Sequence, residues 1–248
     1  MFSNPTVEKL RDLKLKVMAQ IMSEPDHALR ELTFEERLGI MVEREWLARK
    51  NSRIKRLLRS AALGLNACME DIDHSTDRPI DKKTIQKLAT CSFIEQKLNI
   101  VISGKTSSGK TYLACALGNA ACRQGYSTRY YRIPELLLEI QDAKSQNQYA
   151  KFMSQVQGIK LLILDDIGLK TYTLEESRDI LEIAESRYNK ASTELAGQIA
   201  HTKWYDLFPD PTIADAIMDR VIHNAYILTL DSKKSMREVM AEKMIQTQ

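Results

Sequence analysis

The sequence predicts an α/β protein in which helices flank a parallel β-sheet, preceded by a small all-helical N-terminal domain. In residues 7–65 the apolar side chains recur every three to four positions, the spacing of amphipathic helices. From about residue 98 onward, short apolar segments alternate with helical ones, which is typical of a parallel sheet. With 248 residues the chain is long enough for one sizeable α/β core and a small second domain.

The N-terminal region is predicted to form two helices. Pro25 marks the break between them, and Thr33 with Glu36 has the form of a capping box, so the second helix is expected to begin near Phe34. Residues 70–81 are acidic and polar with one proline, which is typical of a linker. We therefore predict a helical domain over 1–69, a linker over 70–84 and an α/β domain over 85–248.

Five strands are predicted in the second domain, at 98–103, 127–132, 160–164, 192–196 and 225–230. The helices between them are expected to begin near Lys110, Pro134, Leu174 and Thr212. The fourth strand is the weakest, because Glu194 stands where a central parallel strand should be apolar on both faces. A buried Glu194 would need a partner or a raised pKa.

The composition excludes several classes of protein. The chain is 44% hydrophobic and 28% charged, with 9 Gly and 6 Pro, which is unlike collagen-like, low-complexity or wholly disordered chains. No apolar run approaches the roughly 20 residues of a membrane helix, and the first residues lack an apolar signal core, so we expect a cytoplasmic protein without a membrane partner. Four cysteines without a CxxC pair predict reduced, mostly buried thiols rather than a zinc site.

A phosphate-binding motif follows the first predicted strand. The segment GKTSSGKT matches GxxxxGK[ST] without a gap and precedes a predicted helix, as this motif requires. Its backbone N–H groups are expected to surround the phosphates, the lysine to neutralise β/γ charge and the last hydroxyl to bind Mg²⁺. The alternative is a chance Gly/Ser turn. The predicted nucleotide-binding residues are Gly104, Lys105, Thr106, Ser107, Ser108, Gly109, Lys110 and Thr111.

Two carboxylates follow the third predicted strand. Asp165 is expected to hold the magnesium ion and Asp166 to orient or deprotonate the attacking water, with Lys110 also counted as catalytic. Two acids after a buried strand are, by themselves, more often a solvated strand end. Together with the phosphate loop they predict nucleoside triphosphate hydrolysis.

Three segments together resemble the IstB-type ATP-binding proteins of insertion sequences, relatives of DnaC-type helicase loaders within the AAA+ ATPases. They are GKTYLACALGNAA, LLILDDIGL, and WYDLFPDPTIADAIMDRVIHNAYILTL with a following Ser-Met-Arg. The resemblance implies an AAA+ P-loop NTPase sheet with a minimal C-terminal lid. It also implies ATP and Mg²⁺ as ligands, ATP-dependent homo-oligomers on duplex DNA, and delivery of target DNA to the transposase of the same element.

The resemblance also implies roles for two arginines. Arg220 matches the arginine that reaches the nucleotide of a neighbouring subunit, and Arg237 resembles a second, nucleotide-sensing arginine. The alternative for Arg220 is a helix cap or an ion pair with Asp219. Two departures concern the loop and the sheet: Ser107 stands where such loops usually have glycine, which lowers nucleotide affinity if the position demands a positive φ, and residues 194–197 lack the usual polar sensor.

A basic segment lies in the second predicted N-terminal helix. We interpret this segment as a DNA-binding face, and the alternative is a solvated face. Trp46, which lies among these cations, is expected to be a core residue. The predicted DNA-binding residues are Arg44, Arg49, Lys50, Arg53, Lys55, Arg56 and Arg59. The function favoured by the sequence is an ATP-hydrolysing transposition helper; a replicative helicase loader is the alternative, and a small-molecule P-loop kinase is the third.

Overall fold

The computed structural model describes residues 4–24, 29, 31–72 and 81–230. The chain divides into two compact units, Met1–Arg56 and Leu57–Gln248. This division differs from the predicted linker at 70–84, because residues preceding the linker pack in the second unit. There, Ala67 belongs to the main core cluster and the Ser60 carbonyl accepts a hydrogen bond of 3.0 Å from Arg129.

The first unit contains helices α1 (Pro5–Asp12) and α2 (Lys16–Ser23) and most of α3 (Phe34–Ala61). The prediction of one helix before Pro25 is wrong, since the chain turns at Lys14, whose φ is 60°. The capping box is confirmed: the Thr33 N–H donates to Glu36 Oε2 at 2.8 Å, and the Glu36 N–H donates to Thr33 Oγ1 at 3.3 Å.

The second unit carries all five predicted strands, each within three residues of its expected bounds. They are β1 (Asn99–Gly104), β2 (Thr128–Arg132), β3 (Leu161–Ile167), β4 (Ser192–Gly197) and β5 (Ala225–Leu230). The helices are α4 (Lys82–Ala89), α5 (Ser92–Glu95), α6 (Lys110–Arg123), α7 (Ile133–Ser145), α8 (Tyr149–Gly158), α9 (Leu174–Arg187) and α10 (Pro211–Ile222), with 3₁₀-helices at Met69–Asp71 and His201–Leu207. The sequence did not predict α4, α5, α8 or either 3₁₀-helix.

The strands form one parallel sheet in the order β2-β3-β4-β1-β5. One face packs against α6 through residues such as Ile100 and Leu117. The other face packs against α7, α9 and α10 through Val101, Leu136 and Ile217. The predicted sheet with helices on both faces is therefore confirmed, and all five strands present their carboxyl ends at one edge.

Two local features explain residues that looked distinctive in the sequence. Asp210 caps α10 by accepting hydrogen bonds from the N–H groups of Thr212 (2.8 Å) and Ile213 (3.3 Å), and Pro211 occupies the first helical position. Trp204 is fully buried and donates its indole N–H to the Ile199 carbonyl at 3.1 Å. The segment WYDLFPDPT thus has a structural role in ending one helix and starting the next.

The four cysteines are free thiols; Cys91, Cys115 and Cys122 are buried and Cys68 is partly buried. Burial raises the pKa of Cys91 to about 12 and that of Cys115 to about 11, as expected for unreactive core thiols. Among the helices that the structure describes, none combines the length and the apolar character needed to cross a bilayer.

Candidate nucleotide-binding site

The phosphate loop joins the end of β1 to the first residue of α6. Gly104 ends β1, and a Cβ built there would lie 2.4 Å from the Leu230 carbonyl oxygen, so no larger residue fits. Gly109 has a φ of 95° directly before α6 begins at Lys110. The strand, loop and helix therefore have the arrangement that the motif predicts, with the N-terminus of α6 facing the loop.

Ser107 adopts the left-handed conformation that the sequence analysis identified as unfavourable. Its φ is 62°, a region that costs a residue with a Cβ about 1 kcal/mol or more. Ser108 lies beside it, and its hydroxyl is buried without a hydrogen-bond partner among the described residues. The loop thus contains one strained position and one unused polar group.

Lys110 points back into the loop. Its Nζ donates to the Lys105 carbonyl oxygen at 2.7 Å, and the residue is buried. Burial lowers the pKa of Lys110, while the nearby charges of Asp165 and Asp166 act in the opposite direction. The ammonium group is therefore already held close to the loop backbone, where a phosphate would replace the carbonyl as its partner.

Asp165 is the best-connected side chain of the site. It is 2% exposed and accepts hydrogen bonds from Thr111 Oγ1 at 2.7 Å, Tyr130 OH at 3.0 Å and the Asp166 N–H at 2.8 Å. Burial, followed by the Asp165 charge, raises the pKa of Tyr130, so this phenol remains a donor at neutral pH. The two residues predicted to bind magnesium, Thr111 and Asp165, are therefore in direct contact.

Asp166 has a different environment from its neighbour. Its side chain is 23% exposed, its φ is 64°, and its Oδ2 accepts a hydrogen bond of 2.7 Å from Arg132 Nε. Arg132 ends β2, the strand that pairs with β3, and also forms an ion pair with Glu135 at 3.4 Å. The structure thus places the residue predicted to activate water at the solvent-facing side of the edge, with one carboxylate oxygen held by an arginine.

A polar residue that the sequence did not single out lies just beyond segment 194–197, the segment that lacks the usual polar sensor. Gln198 follows β4, and its Oε1 accepts a hydrogen bond of 3.0 Å from Thr106 in the phosphate loop. Tyr130 and Arg132 were also missed, because their β2 segment reads as ordinary strand. Arg132 ends β2, Tyr130 lies two residues before it, and Gln198 directly follows β4, so all three are identified by their place near the edge that carries the phosphate loop.

Glu194 lies in the middle of β4, between Ile100 of β1 and Ile163 of β3. It is 0% exposed, and neither carboxylate oxygen has a hydrogen-bond partner in the described part of the chain. Burial and, to a smaller extent, the charge of Asp165 raise the pKa of Glu194 well above its usual range. Of the two outcomes expected for this residue, a raised pKa is the one found.

Arg220 lies in the last turn of α10, away from the phosphate loop of its own chain. Its Nη1 donates to the Ala216 carbonyl at 2.8 Å, and its Nη2 pairs with Glu185 at 2.9 Å rather than with Asp219. The Arg220 carbonyl accepts a hydrogen bond from Asn99, which begins β1, whereas the loop follows the opposite end of that strand. Arg237 lies outside the described residues.

The seven predicted DNA-binding residues of α3 are all exposed. Arg49 pairs with Glu45 at 2.8 Å, and Lys50 Nζ lies 4.8 Å from the centre of the Trp46 ring. Trp46 is 53% exposed, so the prediction that it belongs to the core is wrong. Its ring is instead part of the same exposed helix surface as the cations.

The sheet order and the phosphate loop are those of a P-loop protein with the AAA+ fold. The structure is similar to AMPPCP-bound DnaA from Aquifex aeolicus, with a TM-score of 0.58 and 18% identity over 75% of this chain and 56% of that one. It is also similar to the DnaC helicase loader, with a TM-score of 0.55 and 16% identity over 66% and 97% of the two chains. At these identities the likeness shows the fold alone.

The chain belongs to the family of IstB-like ATP binding proteins, whose sequence profile matches residues 8–243. A relative from Sinorhizobium fredii, y4pL, is named as an insertion sequence ATP-binding protein and is 36% identical over 96% of this chain and 98% of its own. The ATP-binding protein of insertion sequence IS1162 from Pseudomonas fluorescens is 37% identical over 80% and 87% of the two chains. The resemblance drawn from the motifs is thereby confirmed.

Proposed function

We propose that this protein hydrolyses ATP while assembled on duplex DNA and delivers that DNA to the transposase of its own insertion sequence. The observation that carries the proposal is the edge at which Lys110, Thr111, Asp165 and Asp166 converge, in a chain whose relatives are named for insertion sequences. To the ATP binding that characterises the family, the proposal adds ATP hydrolysis, DNA binding and delivery of the DNA to the transposase.

The residues at this edge fit a magnesium–triphosphate ligand. The buried Ser108 hydroxyl lacks a partner among the described residues, and Lys110 is bonded to a loop carbonyl that a phosphate oxygen would replace. Hydroxyl and carboxylate oxygens, as offered by Thr111 and Asp165, are the ligands that magnesium prefers. When bound, the ion neutralises charge on the β- and γ-phosphate oxygens. In this proposal residues 104–111 hold the phosphates, with Thr111 and Asp165 as the protein ligands of the ion.

Asp166 is proposed to orient the attacking water and accept its proton. Its exposure suits contact with water, and Arg132 engages one of its two oxygens, leaving Oδ1 for that role. Asp165 already accepts hydrogen bonds from Thr111, Tyr130 and a backbone N–H. Because its carboxylate is held in this way, it is better suited to binding an ion than to transferring a proton.

Arg220 is proposed to complete the site of a neighbouring subunit. Within its own chain it lies beside the first residue of β1, and six strand residues at about 3.3 Å each separate that end from the loop. An arginine that acts on the γ-phosphate from this position must act in trans. Hydrolysis then requires an oligomer, which duplex DNA would promote by aligning protomers.

Two measurements test this proposal. Electron microscopy of the protein with duplex DNA is made with and without ATP, and phosphate release is measured with and without duplex. We expect ordered oligomers on duplex in the presence of ATP and hydrolysis that increases when duplex is added. Hydrolysis stimulated by a replicative helicase but not by duplex would favour the loader function. Phosphate transfer to a small acceptor, without any effect of DNA, would favour a kinase.

A further inference from the structure

A concave basic site lies in the first unit, between the start of α2 and one face of α3. The depression has a volume of about 350 Å³. Among the residues that the structure describes, five cationic side chains line it, and we name this set the cationic cradle: Lys14, Lys16, Arg49, Arg53 and Arg56. Lys14 and Lys16 precede α3 in the chain and were not among the residues that the sequence predicted to bind DNA.

The cradle has a fixed framework, because a buried carboxylate joins its two sides. Glu45 of α3 accepts hydrogen bonds from the N–H groups of Val17 (2.8 Å) and Met18 (3.3 Å) at the start of α2. The same carboxylate accepts from Arg49 Nε at 2.8 Å, and Arg49 Nη2 donates to the Lys14 carbonyl at 2.9 Å. The left-handed turn at Lys14 is therefore held directly against α3.

The charge of the cradle is strongly unbalanced. In the described part of its lining, Glu45 is the one acidic residue, against five cations. Burial acts to raise the pKa of Glu45, but the hydrogen bonds from Arg49, Val17 and Met18 outweigh it and leave the pKa lowered. Glu45 is thus ionised and already engaged by Arg49 and two backbone N–H groups, so the site retains a large excess of positive charge directed at one depression.

We propose that the cationic cradle binds neighbouring backbone phosphates of duplex DNA, a proposal that rests on the DNA-binding step of the proposed function. Arg49, Arg53 and Arg56 follow one another at four- and three-residue spacing, which places them on one face of α3. Lys14 and Lys16 approach from the opposite wall. Phosphates there are contacted from two elements, which fixes the position of the DNA strand without reading its bases.

The test measures duplex affinity of the full chain as a function of salt in the double variant Lys14→Gln/Lys16→Gln. Removing two phosphate contacts should make the slope of log affinity against log salt shallower by about 1.8. The advantage of the parent protein over the variant should therefore shrink about tenfold between 50 and 200 mM salt. The variant Lys14→Arg/Lys16→Arg, which keeps both charges, should retain the parental slope.

The matched control is Lys9→Gln/Arg11→Gln, which removes the same charge from exposed positions of α1 outside the cradle. If the salt slope of Lys14→Gln/Lys16→Gln changes only as much as that of this control, the proposed cradle is overturned. Duplex binding by the parent protein would still stand. A parent protein that binds no duplex would overturn both the cradle and the DNA step of the proposed function.

A third arm separates DNA phosphate from a small anion. Calorimetric titration with inorganic tripolyphosphate is made in a Lys110→Ala background, so that the phosphate loop does not contribute. Unchanged duplex affinity together with lost tripolyphosphate binding in Lys14→Gln/Lys16→Gln would overturn the assignment to DNA and identify a small-anion site. Lost duplex affinity with the slope change given above supports the proposal.

Discussion

The nucleotide edge of the sheet and the basic face of α3 are both charged, but they are built in opposite ways. At the edge, Lys110 and Asp165 are buried and each has a named partner within 3.0 Å. On α3 the seven cations are exposed and spread over sixteen positions of one helix. The first region depends on individual placed atoms, and the second on the sum of many weak contacts.

This difference predicts how each region responds to substitution. Few water molecules reach a buried charge, so water cannot replace the protein contact that a substitution removes. One substitution at the nucleotide edge should therefore abolish ATP binding or hydrolysis. An exposed cation on a helix contributes about one phosphate contact among several, so single changes there should be small and their effect should depend on salt.

The largest loss of turnover with ATP binding retained is expected for Arg220→Ala. If the guanidinium acts on the nucleotide of a neighbouring subunit, hydrolysis in the oligomer should fall by about 10³- to 10⁵-fold, or roughly 4 to 7 kcal/mol of transition-state stabilisation. ATP binding by the protomer should remain. Phosphate release and nucleotide titration measure the two effects separately.

The control for Arg220 is Glu185→Gln, which removes the ion pair of 2.9 Å but keeps the arginine. Equal defects in both variants would show that Arg220 has a structural role in joining α9 to α10. Mixing Arg220→Ala with Lys110→Ala protein should restore part of the activity, since some interfaces then combine an intact arginine with an intact loop. Failure to recover activity in demonstrated mixed oligomers would contradict action in trans.

Asp166→Asn should leave ATP binding largely intact and lower turnover by about 10²- to 10⁴-fold, the usual contribution of a general base. Asparagine tolerates the φ of 64° at this position, so the backbone should not change. Lys110→Ala should instead abolish ATP binding, because it removes the charge that faces the phosphates. Hydrolysis at the parental rate in Asp166→Asn would exclude the assigned role.

The triple variant Arg53→Ala/Arg56→Ala/Arg59→Ala tests the additive character of the basic face. Loss of three phosphate contacts should make the salt slope of duplex binding shallower by about 2.7, with nucleotide affinity unchanged. The matched control replaces Lys82, Lys83 and Lys203, three exposed lysines of the second unit, by alanine. Parental duplex affinity in the triple variant at both 50 and 200 mM salt would identify a solvated face.

Glu194→Val should stabilise the fold by about 1 to 3 kcal/mol at neutral pH, because it replaces an unpaired buried carboxyl with an apolar side chain. In the folded protein the pKa of Glu194 is raised above its ordinary value of 4.5. Protonation of Glu194 therefore stabilises the folded state to its full extent below pH 4.5. That contribution is lost as pH rises through the folded pKa. Chemical denaturation from pH 5 to 9 should therefore show parental stability decreasing relative to the variant; a constant difference would contradict an unpaired acid.

Ser107→Gly should have the smallest effect. Glycine adopts a φ of 62° without the Cβ penalty, so the variant should gain about 1 kcal/mol, or about fivefold, in nucleotide affinity or loop stability. Ser107→Ala is the matched control, since it removes the hydroxyl and keeps the Cβ. An equal gain in both variants would assign the effect to the hydroxyl rather than to backbone strain.

Features that depend on neighbouring positions could be predicted from the amino-acid sequence. The phosphate loop is contiguous from Gly104 to Thr111, the capping box spans Thr33 to Glu36, and β1, β3 and β5 are short, largely apolar runs. Local backbone preferences and side-chain periodicity fix these elements, because their hydrogen bonds and their exposed or buried sides are set within a few residues.

Contacts between residues that are far apart in the chain could not be predicted in this way, because they depend on how the strands and helices pack. Tyr130 and Arg132 reach Asp165 and Asp166 because β2 pairs with β3, and the unpaired state of Glu194 follows from its position between β1 and β3. Lys14 and Lys16 join the basic face of α3 because Glu45 holds the start of α2. Strand order and helix packing are set by the burial of the whole apolar surface, a property of many residues together that no local pattern specifies.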